Sequence, residues 1–144
     1  MSTISRIVVG TDGSAAAHLA VEWAARESTT HGAKLDIIHT WSIPLLVDPI
    51  GMSMFSFPVE DLSRAAEQVL NDAVSVAKAI TNTEVSGRIA QGPAANVLIE
   101  ASHSADLVVV GSRGHGGFIG LMLGSVAQQV ATHSRCPVVV VPSV

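Results

Sequence analysis

The sequence predicts an α/β fold, a parallel sheet with helices on both faces. Three observations carry this. The apolar runs are short and continuous rather than alternating, as in IVVG, LVVVG and VVVVP, and strands apolar on both faces belong in the middle of a helix-covered parallel sheet. The segments between them hold apolar residues at helical spacing. The two kinds of segment alternate along the chain, the pattern of a parallel sheet built with right-handed crossovers.

In order, the first strand is Ile7–Gly10. Ala16, Leu19, Ala20, Trp23 and Ala24 then make one face of a helix, with Ser14 as its N-cap and Gly32 as its stop. Leu35–Trp41 is the second strand. The stretch Ser42–Pro58 is irregular, with prolines at 44, 49 and 58. A loop of that length is usually functional or mobile, and its apolar residues suit a lid, a dimer contact or a satellite core. Leu62, Ala66, Val69, Leu70, Ala73 and Ala77 form the face of a longer helix, and Glu84–Gly92 is a weaker strand. Pro93 opens a third helix that runs to about Ser104, since proline suits a first turn. Leu107–Gly111 is the fourth strand. Ser125–His133 is the fourth helix, ended before Cys136-Pro137. Val138–Pro142 is the last strand. There is no internal repeat, and residues 1–144 read as one domain.

Composition narrows the partners. The chain is 48% hydrophobic and 14% charged, with a net charge of −4 and eight Lys and Arg. That suits a compact protein and gives no basic stripe for nucleic acid. An anionic ligand would bind against the overall field, so it needs a strong local site. The single cysteine, Cys136, excludes an intrachain disulfide and reads as a packed side chain. MSTISRIVVG is no signal peptide, and no apolar run reaches the ~18 residues of a membrane span. A soluble, cytoplasmic protein without membrane contact is the expectation.

Ligands gather at the carboxyl ends of strands in such sheets, and two of those ends carry unusual chemistry. One is GTDGS, Gly10–Ser14. The other is the glycine-rich run that opens at Gly111. Neither standard phosphate loop fits that run. A Walker A loop needs a lysine after its last glycine, and the lysines are Lys34 and Lys78. In the dinucleotide pattern GxGxxG, Ile119 stands where the third glycine belongs after Gly114 and Gly116. What remains is Gly111-x2-Gly114-x9-Gly124-Ser125. Gly111 and Gly114 permit close approach to a ligand. Gly124, Ser125 and Val126 offer N–H groups at a helix start, where the dipole favours an anion. Gly116, Gly117 and Gly120 read as turn residues. His18, His31, His103 and His133 lack metal-ligand spacing, so no protein-held metal is expected.

This spaced pattern resembles the universal stress protein family, in particular its ATP-binding branch, whose signature is Gly-x2-Gly-x9-Gly-(Ser/Thr). The resemblance runs through the opening strand with Asp12 and Ser14, then IIHTW, GPAANVLIEA, ADLVVVGSRG and CPVVVVP. It implies a Rossmann-like, five-stranded parallel sheet in the order 3-2-1-4-5, with the first and fourth strands adjacent. It also implies a nucleotide site at Gly10, Thr11, Asp12, Thr40, Gly111, Arg113, Gly114, Gly124, Ser125 and Val126. Asp12 would accept from the ribose hydroxyls or help hold a metal, or else form an Asx-turn cap on the first helix. The Thr40 backbone would read the adenine edge, while the neighbouring His39 reads as strand packing. Gly111 and Gly114 would line the ribose and phosphate path. Gly124, Ser125 and Val126 would hold the phosphates, and Arg113 would either reach them or remain solvated. The implied ligand is ATP, with any Mg or Mn held mainly by the phosphates.

Phosphoryl transfer needs a positioned nucleophile and concentrated charge stabilisation. Neither loop has a lysine, and Asp12 has no second carboxylate near it in sequence; His115 is the one candidate catalytic group. The first reading is therefore a nucleotide-dependent regulatory module, in which occupancy biases the loops at 42–58 and 112–123 and so the binding of a protein partner. A slow ATP hydrolase or other adenine-nucleotide enzyme is the second, and an oligomeric scaffold that binds no nucleotide is the third. The last strand would lie at a sheet edge, which invites pairing. With the family's tendency, this implies a homodimer through Val138, Val139, Val140 and Val141.

Overall fold

The computed structural model describes residues 3–41, 59–113 and 123–143. Nine elements alternate along them: β1 (Arg6–Thr11), α1 (Ala15–His31), β2 (Lys34–Trp41), α2 (Val59–Ile80), β3 (Val85–Gln91), α3 (Ala94–Ser102), β4 (Leu107–Gly111), α4 (Ser125–His133) and β5 (Val138–Val141). The strands form one five-stranded sheet in the order β3-β2-β1-β4-β5, parallel throughout. Class and strand order are those expected. The stretch 42–58, with its alternative lid, dimer and core roles, lies outside the described residues.

Strand side chains alternate between faces, so each apolar run feeds two cores. Ile7, Val9, Leu35, Ile37, Leu107 and Val109 pack with α1 and α2. Val8, Ile38, Val108 and Val110 pack with α3 and α4. Cys136 borders this second core, where burial raises its thiol pKa against the lowering effect of a Ser134 hydrogen bond.

Helix α1 differs from the expected face. Its buried residues are Ala17, Ala20, Val21, Ala24, Ala25 and Ser28, while Ala16, Leu19 and Trp23 are only partly buried. Small side chains let the helix approach the sheet closely, and Trp23 packs at the border of the core.

At the amino end of the sheet, charged and hydroxyl side chains close on one another. Arg6 Nε donates to Asp36 Oδ2 at 2.6 Å, and Arg6 Nη1 donates to Ser104 Oγ at 2.5 Å. The Ser86 hydroxyl donates to Asp36 Oδ1. Asp106 Oδ2 accepts from the Ser5 amide and hydroxyl, both at 2.9 Å, and from the Arg6 amide at 3.0 Å. Burial alone would raise the Asp36 pKa. The hydrogen bonds from Ser86 and Arg6, with the charges of Arg6 and Lys34, outweigh it and hold the pKa low. The Ser5 amide, then the Ser5 hydroxyl and the Arg6 amide, lower that of Asp106. Among the described residues no helix is long and apolar enough to cross a membrane.

Candidate functional site

The central pair β1 and β4 runs in register from Ile7↔Leu107 to Val9↔Val109. The loop after β1 and the glycine loop after β4 therefore leave the same end of the sheet side by side. That is where an open α/β sheet forms a ligand crevice.

The first loop is a chain of short hydrogen bonds. Gly13 takes a left-handed φ of 82°, a conformation glycine adopts without strain, and its amide donates to Thr11 Oγ1 at 3.2 Å. The Ser14 amide donates to Asp12 Oδ1 at 2.9 Å. Ser14 caps α1 as expected, its hydroxyl accepting from the Ala17 amide at 3.2 Å. The Asx turn weighed as an alternative for Asp12 is thus present, at one carboxylate oxygen.

Gly10 and Thr11 support this loop. A Cβ on Gly10 would stand 2.7 Å from Leu98 Cδ1, so packing against α3 explains the glycine. Thr11 is buried, and its carbonyl accepts from His39 Nδ1 at 2.8 Å. His39 is thus a hydrogen-bonding residue and not only strand packing. A signal for it lies in the sequence: alternation puts His39 on the same buried face as Leu35 and Ile37, and a buried polar ring needs a partner. Thr40, beside it at the carboxyl end of β2, is partly buried and pairs with Ala90.

The glycine loop is described at its two ends. A Cβ on Gly111 would come within 3.1 Å of the Ala16 carbonyl oxygen. The close approach expected at Gly111 is therefore made, but to the backbone of α1. Arg113 is exposed. Gly114, with His115, Gly116, Gly117 and Gly120, lies outside the described residues.

The two ends of the insertion meet, because the Gly124 amide donates to the Ser112 carbonyl at 2.7 Å. One expectation is corrected by that bond: the Gly124 N–H is not an unpaired donor at the helix start. Among the described residues nothing accepts from the N–H groups of Ser125, Val126 or Ala127. The open donor set is therefore shifted one residue along α4. Ser112, which the sequence did not single out, ties this end further. Its amide donates to the Val141 carbonyl at 2.8 Å, and its hydroxyl accepts from the Ser143 amide at 3.1 Å. Two of its three ties are main-chain, so its residue type gave little signal.

A cavity of about 400 Å³ is lined by Ser112, Arg113, Leu123, Val140, Pro142 and Ser143. It lies along β5 and shares only Arg113 with the expected site, so it is not the crevice between β1 and β4. Among the described residues no group of three or more His, Cys, Asp or Glu is placed to hold a metal. The arrangement can hold an anion by main-chain donors at α4, with a carboxylate close to the partner strand's end.

Residues 3–142 match the universal stress protein family. A universal stress protein of Mycobacterium tuberculosis is 35% identical over 135 residues, covering 93% of this chain and 44% of the relative. The chain spans about half the length of the curated relatives it matches. Among solved structures, a universal stress protein in complex with cAMP is 30% identical, with a TM-score of 0.75 over 99% of this chain and 100% of that one. The universal stress protein of Archaeoglobus fulgidus in complex with dAMP is 19% identical, with a TM-score of 0.66 over 97% of this chain and 98% of that one, a likeness of fold alone.

Proposed function

The chain belongs to the universal stress protein family, and from that premise we propose that residues 1–144 form one ATP-binding module that regulates a protein partner without efficient turnover. The observation that carries the reading is the start of α4. Ser125, Val126 and Ala127 present N–H groups with no acceptor among the described residues, next to Gly124, which is tied to the end of β4, the neighbour of the strand that ends in the Asp12 loop. The relative solved with cAMP supports an adenine ligand. Gly10, Thr11, Gly111 and Gly124 would shape the site, while Asp12 and the Thr40 backbone would meet the ribose and adenine. Ser125, Val126, Arg113 and Gly114 would meet the phosphates, and any Mg or Mn would be held mainly by the phosphates.

A micromolar dissociation constant corresponds to about 8 kcal/mol, and a helix start contributes about 0.3–2 kcal/mol per charge contact. Several amide donors with adenine burial reach micromolar binding without a lysine. Calorimetric titration with ATP, followed by AMP, ADP and cAMP, tests the reading and ranks the ligands. Micromolar binding of ATP is expected, with no ADP released over hours; absence of heat with every adenine nucleotide overturns it. In the same reading the module pairs through Val138–Val141, which are half-buried at the sheet edge. Val140→Asp is then expected to elute as a monomer on sizing, and an unchanged elution volume counts against the dimer.

A further inference from the structure

We propose that His39 is a positioning residue for the nucleotide site, acting on Asp12 through the Thr11 carbonyl; the proposal rests on the adenine-nucleotide reading above. His39 and Thr11 are register partners on β2 and β1, and His39 Nδ1 lies 2.8 Å from the Thr11 carbonyl oxygen. A carbonyl only accepts, so Nδ1 carries the hydrogen and the ring is held in one orientation. Inward neighbours on the same strand face, Leu35 and Ile37, are aliphatic and buried. Burying an imidazole among them is costly unless it is hydrogen-bonded, and the Thr11 carbonyl is the partner it meets there.

The bond acts one peptide before Asp12. Thr11 and Asp12 share a planar peptide unit, and holding its carbonyl holds the plane from which Asp12 departs. From there the chain of bonds continues through Thr11 Oγ1 to the Gly13 amide, Asp12 Oδ1 to the Ser14 amide and Ser14 Oγ to the Ala17 amide. One buried side chain on β2 thereby anchors the loop that carries the carboxylate and starts α1.

The test compares His39→Leu, which keeps the bulk and removes the donor, with His39→Asn, whose amide N–H stands at the same bond distance from Cβ as Nδ1. Amide exchange at Gly13 and Ser14 and calorimetric titration with ATP are read on both, with exchange at Val109 reporting the central sheet. His39→Leu is expected to speed exchange at Gly13 and Ser14 and to weaken ATP binding, each by about tenfold, the size of one lost hydrogen bond. His39→Asn is expected to restore both, with Val109 exchange unchanged in either. ATP binding by His39→Leu equal to wild type overturns the proposal, as does a His39→Asn no better than His39→Leu. Loss of Val109 protection in His39→Leu alongside the weakened binding also overturns it, since the role is then general stability. Should His39→Leu fail to fold, His39→Gln replaces it, because its amide stands nearer the position of Nε2; equal affinity for the Asn and Gln variants then overturns the proposal. A wild-type protein that binds no adenine nucleotide sinks the nucleotide reading and this proposal with it. Wild-type binding that survives in His39→Leu sinks this proposal alone.

Discussion

The two ends of the sheet are built from the same five strands and are chemically opposite. At the amino end, Arg6, Asp36, Ser86, Ser104, Ser5 and Asp106 satisfy one another. Charged groups there pull β1, β2 and β3 together and tie the start of β4 to the chain before β1. At the carboxyl end the ties run through main-chain groups, as between Gly124 and Ser112, Gly13 and Thr11, Ser14 and Asp12 or His39 and Thr11. There the donors at Ser125, Val126 and Ala127 have no acceptor among the described residues. A charge paired within the fold holds the fold together and is unavailable to a ligand. A helix start without a side-chain cap favours an anion by its dipole. In the proposed reading, stability and recognition are therefore assigned to opposite ends of the same strands.

The substitution with the largest expected effect separates those assignments by sign. Gly124 sits at the N-cap of α4 with φ −68° and ψ 163°, extended backbone that any residue adopts. Aspartate is among the best N-cap residues, so Gly124→Asp should leave the melting temperature unchanged or slightly raised. Its carboxylate would accept from the first-turn amides and repel a phosphate, and the ATP affinity should fall on the order of a hundredfold. Calorimetry and thermal melting on the same sample check both signs. Affinity that stays intact removes the helix start from the site, and a lowered melting temperature means that end is structural as well.

Next in size is the reverse experiment at the amino end. Asp36→Asn removes the charge that Arg6 and Ser86 address, in a side chain only 11% exposed. A loss of about 1.5–3 kcal/mol in denaturant unfolding is expected, the range for hydrogen bonds to charged groups. ATP affinity should stay within about twofold, a change well below 1 kcal/mol. A large fall in affinity would show that the two ends are coupled.

Acid should act on the same end. Asp36 and Asp106 both have pKa values below the usual carboxylate range in the fold. A depressed pKa contributes stability that is fully present above the unfolded value, about 3.9 for aspartate, and lost as pH falls from there through the folded value. Unfolding free energy should therefore be level from neutral pH down to about 5 with respect to these groups and decline below about 4. The decline should be shallower in Asp36→Asn, and identical slopes in the two proteins would count against the assignment.

The fold is legible in the sequence for identifiable reasons, whereas the amino-end network of Arg6, Asp36 and Asp106 is not, because its members lie far apart along the chain. IVVG, LVVVG and VVVVP announce two-faced burial because consecutive apolar residues leave no polar face. The strand order came from the family resemblance, since local patterns do not encode which strands are neighbours. The buried face of α1 differs from the one its pattern predicts at Leu19 and Trp23, because large residues dominate a hydrophobic pattern, while alanines allow the closest approach to the sheet. Gly111 is legible as a close contact, but a sequence does not say whether a ligand or Ala16 makes it, and the contact of Gly10 with Leu98 has no local signal. The Gly124 amide was assigned to an anion for a related reason: its acceptor, Ser112, is distant in sequence, and only the folded loop brings it near.

The smallest expected effect bears on whether Asp12 belongs to the fold or to the site. In the Asx turn it supplies an acceptor oxygen to the Ser14 amide, and Asn supplies one too; the two rank alike in local capping. Asp12→Asn should therefore change unfolding free energy by less than about 0.5 kcal/mol. Asp12→Ala removes the acceptor and should cost about 1 kcal/mol, as lost capping side chains do. Toward a nucleotide the same pair behaves differently. A ribose hydroxyl donates more strongly to a carboxylate than to an amide oxygen, so Asp12→Asn should weaken ATP several-fold although the turn is intact. Titration and denaturant unfolding on the two variants read these quantities separately. If Asp12→Asn binds ATP as wild type does while Asp12→Ala loses both stability and affinity, Asp12 is a turn residue and the carboxyl end recognises its ligand through the helix start alone.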